Sequence, residues 1–212
     1  MTSILYWREI IADEAGGQSV VVDPAWEASK IEQVMDVTAC ECRAVLLTHS
    51  HPDHVHLAQH FAEKHGATVM MSRVEIGYYR FSCANLSPVE DGVAISIGAL
   101  QIKPILTPGH TAGGMCFLVG DHLFTGDTLF AEGCGMCAGD GADPEALFGS
   151  LQELKAMIPH RTRIYPGHSY GNVPGQTFAQ ILANNIYLNF KSPEEFVAFR
   201  MRRGQTGWFN FQ

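Results

Sequence analysis

The stretch AVLLTHSHPDHVH, residues 44–56, places four histidines and an aspartate directly after four apolar residues. The run AVLL is typical of a buried strand, and Pro52 suits the first turn of a helix that follows it. Residues 48–51 are therefore predicted to lie where the strand ends. Imidazole and carboxylate side chains are poor interior groups, so their concentration at this point indicates a functional site.

The spacing within this stretch predicts two adjacent groups of metal ligands. Alternate residues of an extended segment share a side, so His49 and His51 can face one point. Asp53 and His54, at the start of the helix, turn toward a neighbouring point. This arrangement favours a site for two metal ions over a site for one.

Three more polar residues follow apolar strands, each in a loop that contains glycine. They are His110 in LTPGHTAGG, Asp127 in LFTGDTLF and His168 in IYPGHSYG. Glycine permits the close backbone approach by which a loop presents a side chain at a crowded centre. A lone histidine at a strand end is more often a hydrogen-bonded structural residue, but the combined set predicts one metal site.

Strand-like and helical patterns alternate along the rest of the chain. Strands are predicted at residues 19–22, 44–47, 68–71, 100–106, 115–119, 122–124 and 163–165. Helices are predicted at residues 27–37, 53–65, 144–158 and 176–189. This order predicts an α/β protein in which helices cover the sheets.

Composition limits the function further. The chain has 212 residues, of which 46% are hydrophobic and 17% charged, as expected for a single domain over residues 1–212. The net charge of −8 disfavours binding to nucleic acid, which requires positive potential. The six cysteines are too few for a disulfide scaffold and are expected to remain thiols.

The amino-terminal residues 1–10 do not have the pattern of a secretory signal, because Arg8 and Glu9 follow only a short apolar run. No segment reaches the length of about 18 apolar residues that spans a bilayer. The sequence therefore predicts a cytoplasmic protein that does not enter a membrane.

The ordered motifs resemble those of the metallo-β-lactamase superfamily. The chain has T-H-x-H-x-D-H at residues 48–54, a later histidine at His110, G-D at residues 126–127 and a last histidine at His168. The resemblance runs from VVVDP, residues 20–24, over most of the chain. It implies an αββα sandwich with the metals at one edge of the two sheets.

The resemblance also implies the roles of the site residues. Metal 1 would be held by His49, His51 and His110, and metal 2 by Asp53, His54 and His168. Asp127 would bridge them, and Asp53 and Asp127 would be the catalytic carboxylates. The cofactors implied are two divalent ions, first of all Zn²⁺, with iron and manganese as alternatives that the same ligands accept. A bridging hydroxide would attack the substrate carbonyl.

The branch of the superfamily suggests the substrate. His54 and FTGDTLFAEGCG, residues 124–135, are similar to the glyoxalase-II-like thioester hydrolases, but only 44 residues follow His168, where glyoxalase II continues into a larger helical region. Residues 132–172 and KSPEEFVAFRMRR, residues 191–203, look closer to zinc-dependent hydrolases of bacterial polyketide biosynthesis clusters. That resemblance implies an acyl thioester on the phosphopantetheine arm of an acyl carrier protein.

Substrate contacts are predicted at two places. The basic residues of the carboxyl-terminal part could receive the phosphate of the arm or the acidic face of a carrier, or could complement the dipole of a solvated helix end. They are Lys191, Arg200, Arg202 and Arg203. Tyr78, with its aromatic neighbours, either walls the substrate pocket or fills the core.

Three other functions remain open. Glyoxalase II, a hydroxyacylglutathione hydrolase, shares the branch. A persulfide dioxygenase of the same superfamily would use one iron held by two histidines and an aspartate. A non-catalytic module would bind metal or a partner without turnover.

Four other polar residues are given secondary roles. Cys134 and Cys137 are expected in a metal-free loop near the site, because no second pair of suitable spacing follows. Asp23 either orients a ligand histidine or caps a helix. His60, on the predicted helix 53–65, is expected to be exposed or to support the site rather than to bind metal.

Overall fold

The first sheet of the protein has six strands in the order β1-β2-β3-β4-β5-β6 over the described part of the chain. The computed structural model describes residues 2–5 and 10–202. The strands are β1 (Thr2–Leu5), β2 (Ile10–Asp13), β3 (Gln18–Val22), β4 (Glu41–Leu47), β5 (Thr68–Ser72) and β6 (Leu86–Val89). Strands β1 to β3 pair antiparallel, and β3 to β6 pair parallel.

The second sheet has five strands in the order β11-β10-β9-β8-β7 among the same residues. They are β7 (Ile95–Ile97), β8 (Leu100–Leu106), β9 (Met115–Val119), β10 (His122–Gly126) and β11 (Arg163–Pro166). All neighbours pair antiparallel except β10 and β11, which are parallel.

Helices follow or separate these strands. They are α1 (Ala28–Thr38), α2 (Pro52–Val55), α3 (Ala58–His65), α4 (Arg73–Tyr79), α5 (Pro144–Met157), α6 (Phe178–Asn184) and α7 (Pro193–Arg200). A short 3₁₀ helix, Ile186–Leu188, lies between α6 and α7. Within the described ranges, no helix is long and apolar enough to cross a membrane.

Strand β4 shows how the layers are stacked. Its side chains alternate between two apolar clusters, as the two-residue period of a strand requires. Ala44 and Leu46 face a cluster that also contains Phe117 and Phe124 of the second sheet. Val45 and Leu47 face the opposite cluster, where helices α1 and α3 pack. Because β4 is covered on both faces, it reads as a continuous apolar run.

Helices cover the outer face of the second sheet as well. Leu147 and Leu151 of α5, Phe178 of α6 and Phe196 of α7 are fully buried in one cluster with Leu123 of β10. The order of layers is therefore helices, sheet, sheet, helices. The predicted αββα sandwich is confirmed.

Two predicted helices are interrupted. The backbone N–H of Leu57 donates to the carbonyl of Pro24 (3.0 Å), so the predicted helix 53–65 divides into α2 and α3. The predicted helix 176–189 ends at Asn185, whose Oδ1 accepts from the N–H of Tyr187 (3.0 Å) and starts the 3₁₀ turn. In both cases a backbone N–H donates to an acceptor that a continuous α-helix would not provide.

Candidate metal centre

The predicted ligands come from four loops at one edge of the two sheets. His49 and His51 follow β4, and Asp53 and His54 lie in α2 directly after them. The other three come from the second sheet: His110 from the loop between β8 and β9, Asp127 directly after β10, and His168 after β11. Strand ends of both sheets thus supply the side chains.

Three histidines form the first group. His51 Nδ1 lies 3.0 Å from His49 Nε2 and 3.1 Å from His110 Nε2. One ligand atom from each of the three lies within 4.8 Å of the others. Three imidazole nitrogens that converge in this way are a typical donor set for a transition metal.

Asp53, His54 and His168 form the second group, whose ligand atoms also lie within 4.8 Å of one another. Asp53 Oδ2 is 3.3 Å from His168 Nε2 and 3.8 Å from His54 Nε2. A hydrogen bond with His168 lowers the pKa of Asp53 despite the opposing effect of burial. The carboxylate is therefore ionised and available to a cation at neutral pH.

Asp127 stands between the two groups. Its Oδ2 is 3.6 Å from His110 Nε2 of the first group. Its Oδ1 is 3.4 Å from His54 Nε2 and 3.6 Å from His168 Nε2 of the second. One oxygen of this carboxylate thus faces each group, which is the arrangement that a bridging ligand needs.

Two buried polar atoms indicate that a cation fits here. Among the described residues, His54 Nε2 and Asp127 Oδ1 have no hydrogen-bond partner, although they face each other. Burial lowers the pKa of His54, but the carboxylates of Asp23, Asp127 and Asp53 outweigh it and raise the pKa to about 9. The pocket therefore demands positive charge, which a proton on His54 or a metal ion can provide.

Asp23 is linked to one predicted ligand of each group, directly to His54 and through Thr48 to His49. Its Oδ2 accepts from His54 Nδ1 (2.9 Å) and from the hydroxyl of Thr48 (2.6 Å), and its Oδ1 accepts from the Thr48 N–H (2.7 Å). The Thr48 hydroxyl also lies 3.0 Å from His49 Nδ1. The contact with Nδ1 directs Nε2 of His54 into the candidate site, in agreement with the orienting role predicted for Asp23.

Glu75 was not predicted from the sequence. Its fully buried carboxylate accepts from the N–H and the hydroxyl of Ser50 (both 2.8 Å) and from the N–H of Gly113 (2.9 Å). It therefore connects the segment of His49 and His51 to the loop of His110. The pattern Ser72-x-x-Glu75 resembles a capping box, but the Glu75 side chain turns to the two ligand loops instead.

A pocket of about 280 Å³ opens over the candidate centre. Five predicted ligands line it, together with residues of the segment after Asp127 and of the carboxyl-terminal part. The lining residues other than the predicted ligands are Phe130, Glu132, Gly133, Cys134, Met136, Tyr170, Tyr187 and Arg200. Aromatic side chains and one arginine thus surround the space next to the ligands.

The predicted substrate residues are placed differently from one another. Arg200 lines the pocket and is only 5% exposed, and its Nε donates to the carbonyl of Gly135 (2.8 Å). The alternative of a solvated helix end is therefore wrong for Arg200. Lys191 is exposed before α7, and Tyr78 lies elsewhere on the surface, where its hydroxyl donates to Asp140 (3.1 Å). Arg203 lies outside the described residues.

The remaining polar residues have separate surroundings. Arg202 Nη1 donates to the carbonyl of Phe199 (2.6 Å), in agreement with the helix-end alternative. Cys134 and Cys137 are buried thiols, and burial raises the pKa of Cys137 to about 11. Their loop adjoins the site, as predicted, since Cys134 lines the pocket. His60 contacts Glu32 on α1, away from the pocket.

Comparison with known proteins identifies the family of this chain. The family profile of the metallo-beta-lactamase superfamily matches residues 10–168, and the chain belongs to this superfamily. The probable polyketide biosynthesis zinc-dependent hydrolase BaeB of Bacillus velezensis is 48% identical over 96% of this chain and 90% of its own length. PksB of Bacillus subtilis, described in the same words, is 46% identical over the same shares. The chain is accordingly a metal-dependent hydrolase.

Two further relatives are more distant. A hydroxyacylglutathione hydrolase of Methylobacillus flagellatus is 35% identical over 73% of this chain and 59% of its own length. The crystal structure of ETHE1 from Myxococcus xanthus is 29% identical, has a TM-score of 0.84, and covers 97% of this chain and 92% of that one. The resemblance to the glyoxalase-II-like branch is thereby confirmed.

Proposed function

We propose that this chain is a thioester hydrolase with a binuclear metal centre that removes acyl groups from the phosphopantetheine arm of acyl carrier proteins in polyketide biosynthesis. The observation that carries the proposal is Asp127, whose two carboxylate oxygens face two different ligand groups. The names of the relatives BaeB and PksB support both zinc and the biosynthetic setting.

The ligand assignment follows the two groups. One ion would be held by the first group, His49, His51 and His110. The other would be held by the second group, Asp53, His54 and His168, and Asp127 would bind both ions. Divalent ions bound there supply a water of lowered pKa and polarise the thioester carbonyl. Zinc suits nitrogen and carboxylate donors of this kind, although iron and manganese accept them too.

The protein's own residues would orient the reaction. Asp53 is the more exposed of the two catalytic carboxylates, at 38% against 11% for Asp127, so it is the one that can accept a hydrogen bond from the attacking water. Asp23 keeps Nε2 of His54 directed inward through its contact with Nδ1. The thiolate product is a good leaving group, and its departure requires no acid from the protein.

The pocket suggests how the substrate lies. The acyl part fits among Phe130, Tyr170 and Tyr187, and the volume of about 280 Å³ favours a short acyl chain. Arg200, at the pocket wall, can donate to a carbonyl oxygen of the substrate. Lys191, which precedes Arg200 in the sequence, is exposed. It is the candidate to bind the phosphate of the arm or the acidic face of the carrier.

Hydroxyacylglutathione hydrolysis is the second candidate, because relatives of that name are 35% and 38% identical over 73% of the chain. The same centre would cleave a glutathione thioester, so the thiol carrier alone distinguishes the two activities.

The test is a parallel assay of metal-analysed protein on acyl-carrier, acyl-CoA and lactoylglutathione thioesters. The proposal expects about two ions per chain in the centre formed by the seven predicted ligands, and the fastest turnover on the acyl carrier. Asp127→Ala should reduce turnover by about a thousandfold or more, whereas Asp36→Ala, on the exposed side of α1, should not. Fastest turnover of lactoylglutathione supports the second candidate. One iron per chain with oxygen consumption on glutathione persulfide would instead support a dioxygenase.

A further inference from the structure

Helices α1 and α3, which cover the outer face of the first sheet, share a cluster of three side chains. Glu32 comes from α1, and His60 and His65 come from α3. All three are partly buried, and they lie apart from the residues that line the catalytic pocket.

Both imidazoles point at the same carboxylate oxygen. His60 Nε2 is 2.8 Å from Glu32 Oε1, and His65 Nε2 is 3.0 Å from that oxygen. One ligand atom from each of the three residues lies within 4.8 Å of the others. Two Nε2 atoms and one carboxylate oxygen thus surround a single point between the helices.

The dimensions suit a small divalent ion. Tetrahedral zinc with bonds of about 2.0–2.1 Å separates its ligand atoms by about 3.3–3.4 Å. The separations of 2.8 and 3.0 Å would have to widen by only about half an ångström. His60 is 36% exposed, so small side-chain rotations can provide this without movement of the helices.

Lys64 competes with a metal ion for the carboxylate of Glu32. Its ammonium lies 2.8 Å from both oxygens of Glu32, but its side chain is 54% exposed and can keep Oε2 while it releases Oε1. Hydrogen bonds from Lys64 and His60 lower the pKa of Glu32 to about 2. Protons therefore do not compete for the carboxylate at neutral pH.

We propose that Glu32, His60 and His65 form a peripheral site for a divalent transition metal, with zinc as the ion that this donor set suits. Two imidazoles and one carboxylate leave a fourth position for water. Such an ion ties α1 to α3, and α3 begins shortly after the α2 residues Asp53 and His54. Its effect is on the stability of the helical layer rather than on turnover.

The experiment compares the zinc content of the 212-residue chain at a buffered free zinc concentration between wild type and His60→Ala/His65→Ala. We expect the double variant to bind one ion fewer per chain. His160→Ala, which removes an exposed histidine from a turn, should bind as many as wild type. Equal zinc content in wild type and the double variant would overturn the proposal. Because the experiment measures only the difference in zinc content between wild type and the double variant, the result does not depend on how many ions the catalytic centre holds.

Two single variants separate a metal site from a hydrogen-bonded cluster. Glu32→Gln keeps an acceptor but loses the charge, so zinc affinity at this site should fall at least tenfold. Lys64→Ala removes the competitor, so zinc should bind at least as tightly and should raise the unfolding temperature as much as in wild type. Loss of zinc binding in Lys64→Ala would contradict the assignment, as would full binding in Glu32→Gln. Circular dichroism of each variant verifies that the helices are retained.

Discussion

Replacing Glu75 with glutamine tests whether one buried carboxylate joins the two histidine-bearing loops. The carboxylate accepts three hydrogen bonds, two from Ser50 on Oε1 and one from Gly113 on Oε2. Glutamine has one oxygen and one amide nitrogen at these positions. In the better of the two amide orientations, the glutamine oxygen accepts from Ser50. The amide nitrogen then faces the N–H of Gly113, so two hydrogen-bond donors lie opposite each other.

The expected loss follows from those contacts. A hydrogen bond to a charged group contributes about 1.5–3 kcal/mol, and leaving its buried partner unsatisfied adds about 1–3 kcal/mol. A fall of about 3 kcal/mol in the free energy of unfolding corresponds to about 6–12 °C in Tm for a chain of this size. Because both loops carry predicted ligands, metal affinity should also fall, by about 10–100-fold.

Urea unfolding of metal-free protein measures the free energy of unfolding, and competition with a chelator measures the metal affinity. The matched control is Glu14→Gln, which makes the same chemical change at an exposed turn. If Glu75→Gln matched Glu14→Gln in both assays, the carboxylate would not be the connection between the loops.

Three other predictions concern the same centre. Asp23→Asn should weaken metal binding about 10–100-fold, because the amide cannot serve both Thr48 and His54 as the carboxylate does; unchanged chelator competition would contradict this. Gly167→Ala should lower metal content and turnover, because its Cβ would lie 2.5 Å from His54 Cε1 and 2.8 Å from Asp127 Oδ1. Gly139→Ala, with open space around its Cβ, is the control, and equal activity of the two variants would refute the steric argument. Metal-free protein should lose stability as the pH rises from 6.5 through about 9, because folding raises the pKa of His54 and the folded state holds that proton more tightly. Urea midpoints across that range measure the loss, and a flat profile would contradict it.

The sequence was most informative about the centre, because each predicted ligand lies in a short motif at a strand end. Asp23 could be predicted for the same reason. Glu75 could not, since its partners Ser50 and Gly113 are distant in sequence and its local pattern indicates only a helix cap. A buried carboxylate that joins two loops has no signature in a single sequence.

Several of the elements that escaped prediction have a weak local pattern. Strand β6 contains Pro88, which argues against a strand, yet β6 is at the edge of its sheet, where proline is tolerated. Strand β7 has three residues and is also an edge strand. Helices α4 and α7, with seven and eight residues, are too short for a clear apolar period.

The burial of Arg200 was likewise beyond the sequence. A basic residue at the end of a helix is normally solvated, but α7 packs on α5 through Phe196 and brings this arginine beside Tyr187 in the pocket wall. Tertiary packing, which local composition does not encode, decided its surroundings.

The division of the ligands between two sheets has a consequence for biosynthesis. His49 to His54 leave the ribosome long before His168, so the nascent chain carries an incomplete donor set until the second sheet has been made. Ions captured early would meet only part of their coordination and could exchange freely. The predicted donor set is therefore complete only once His168 has been synthesised, and an ion that needs all seven side chains can be bound only from then on.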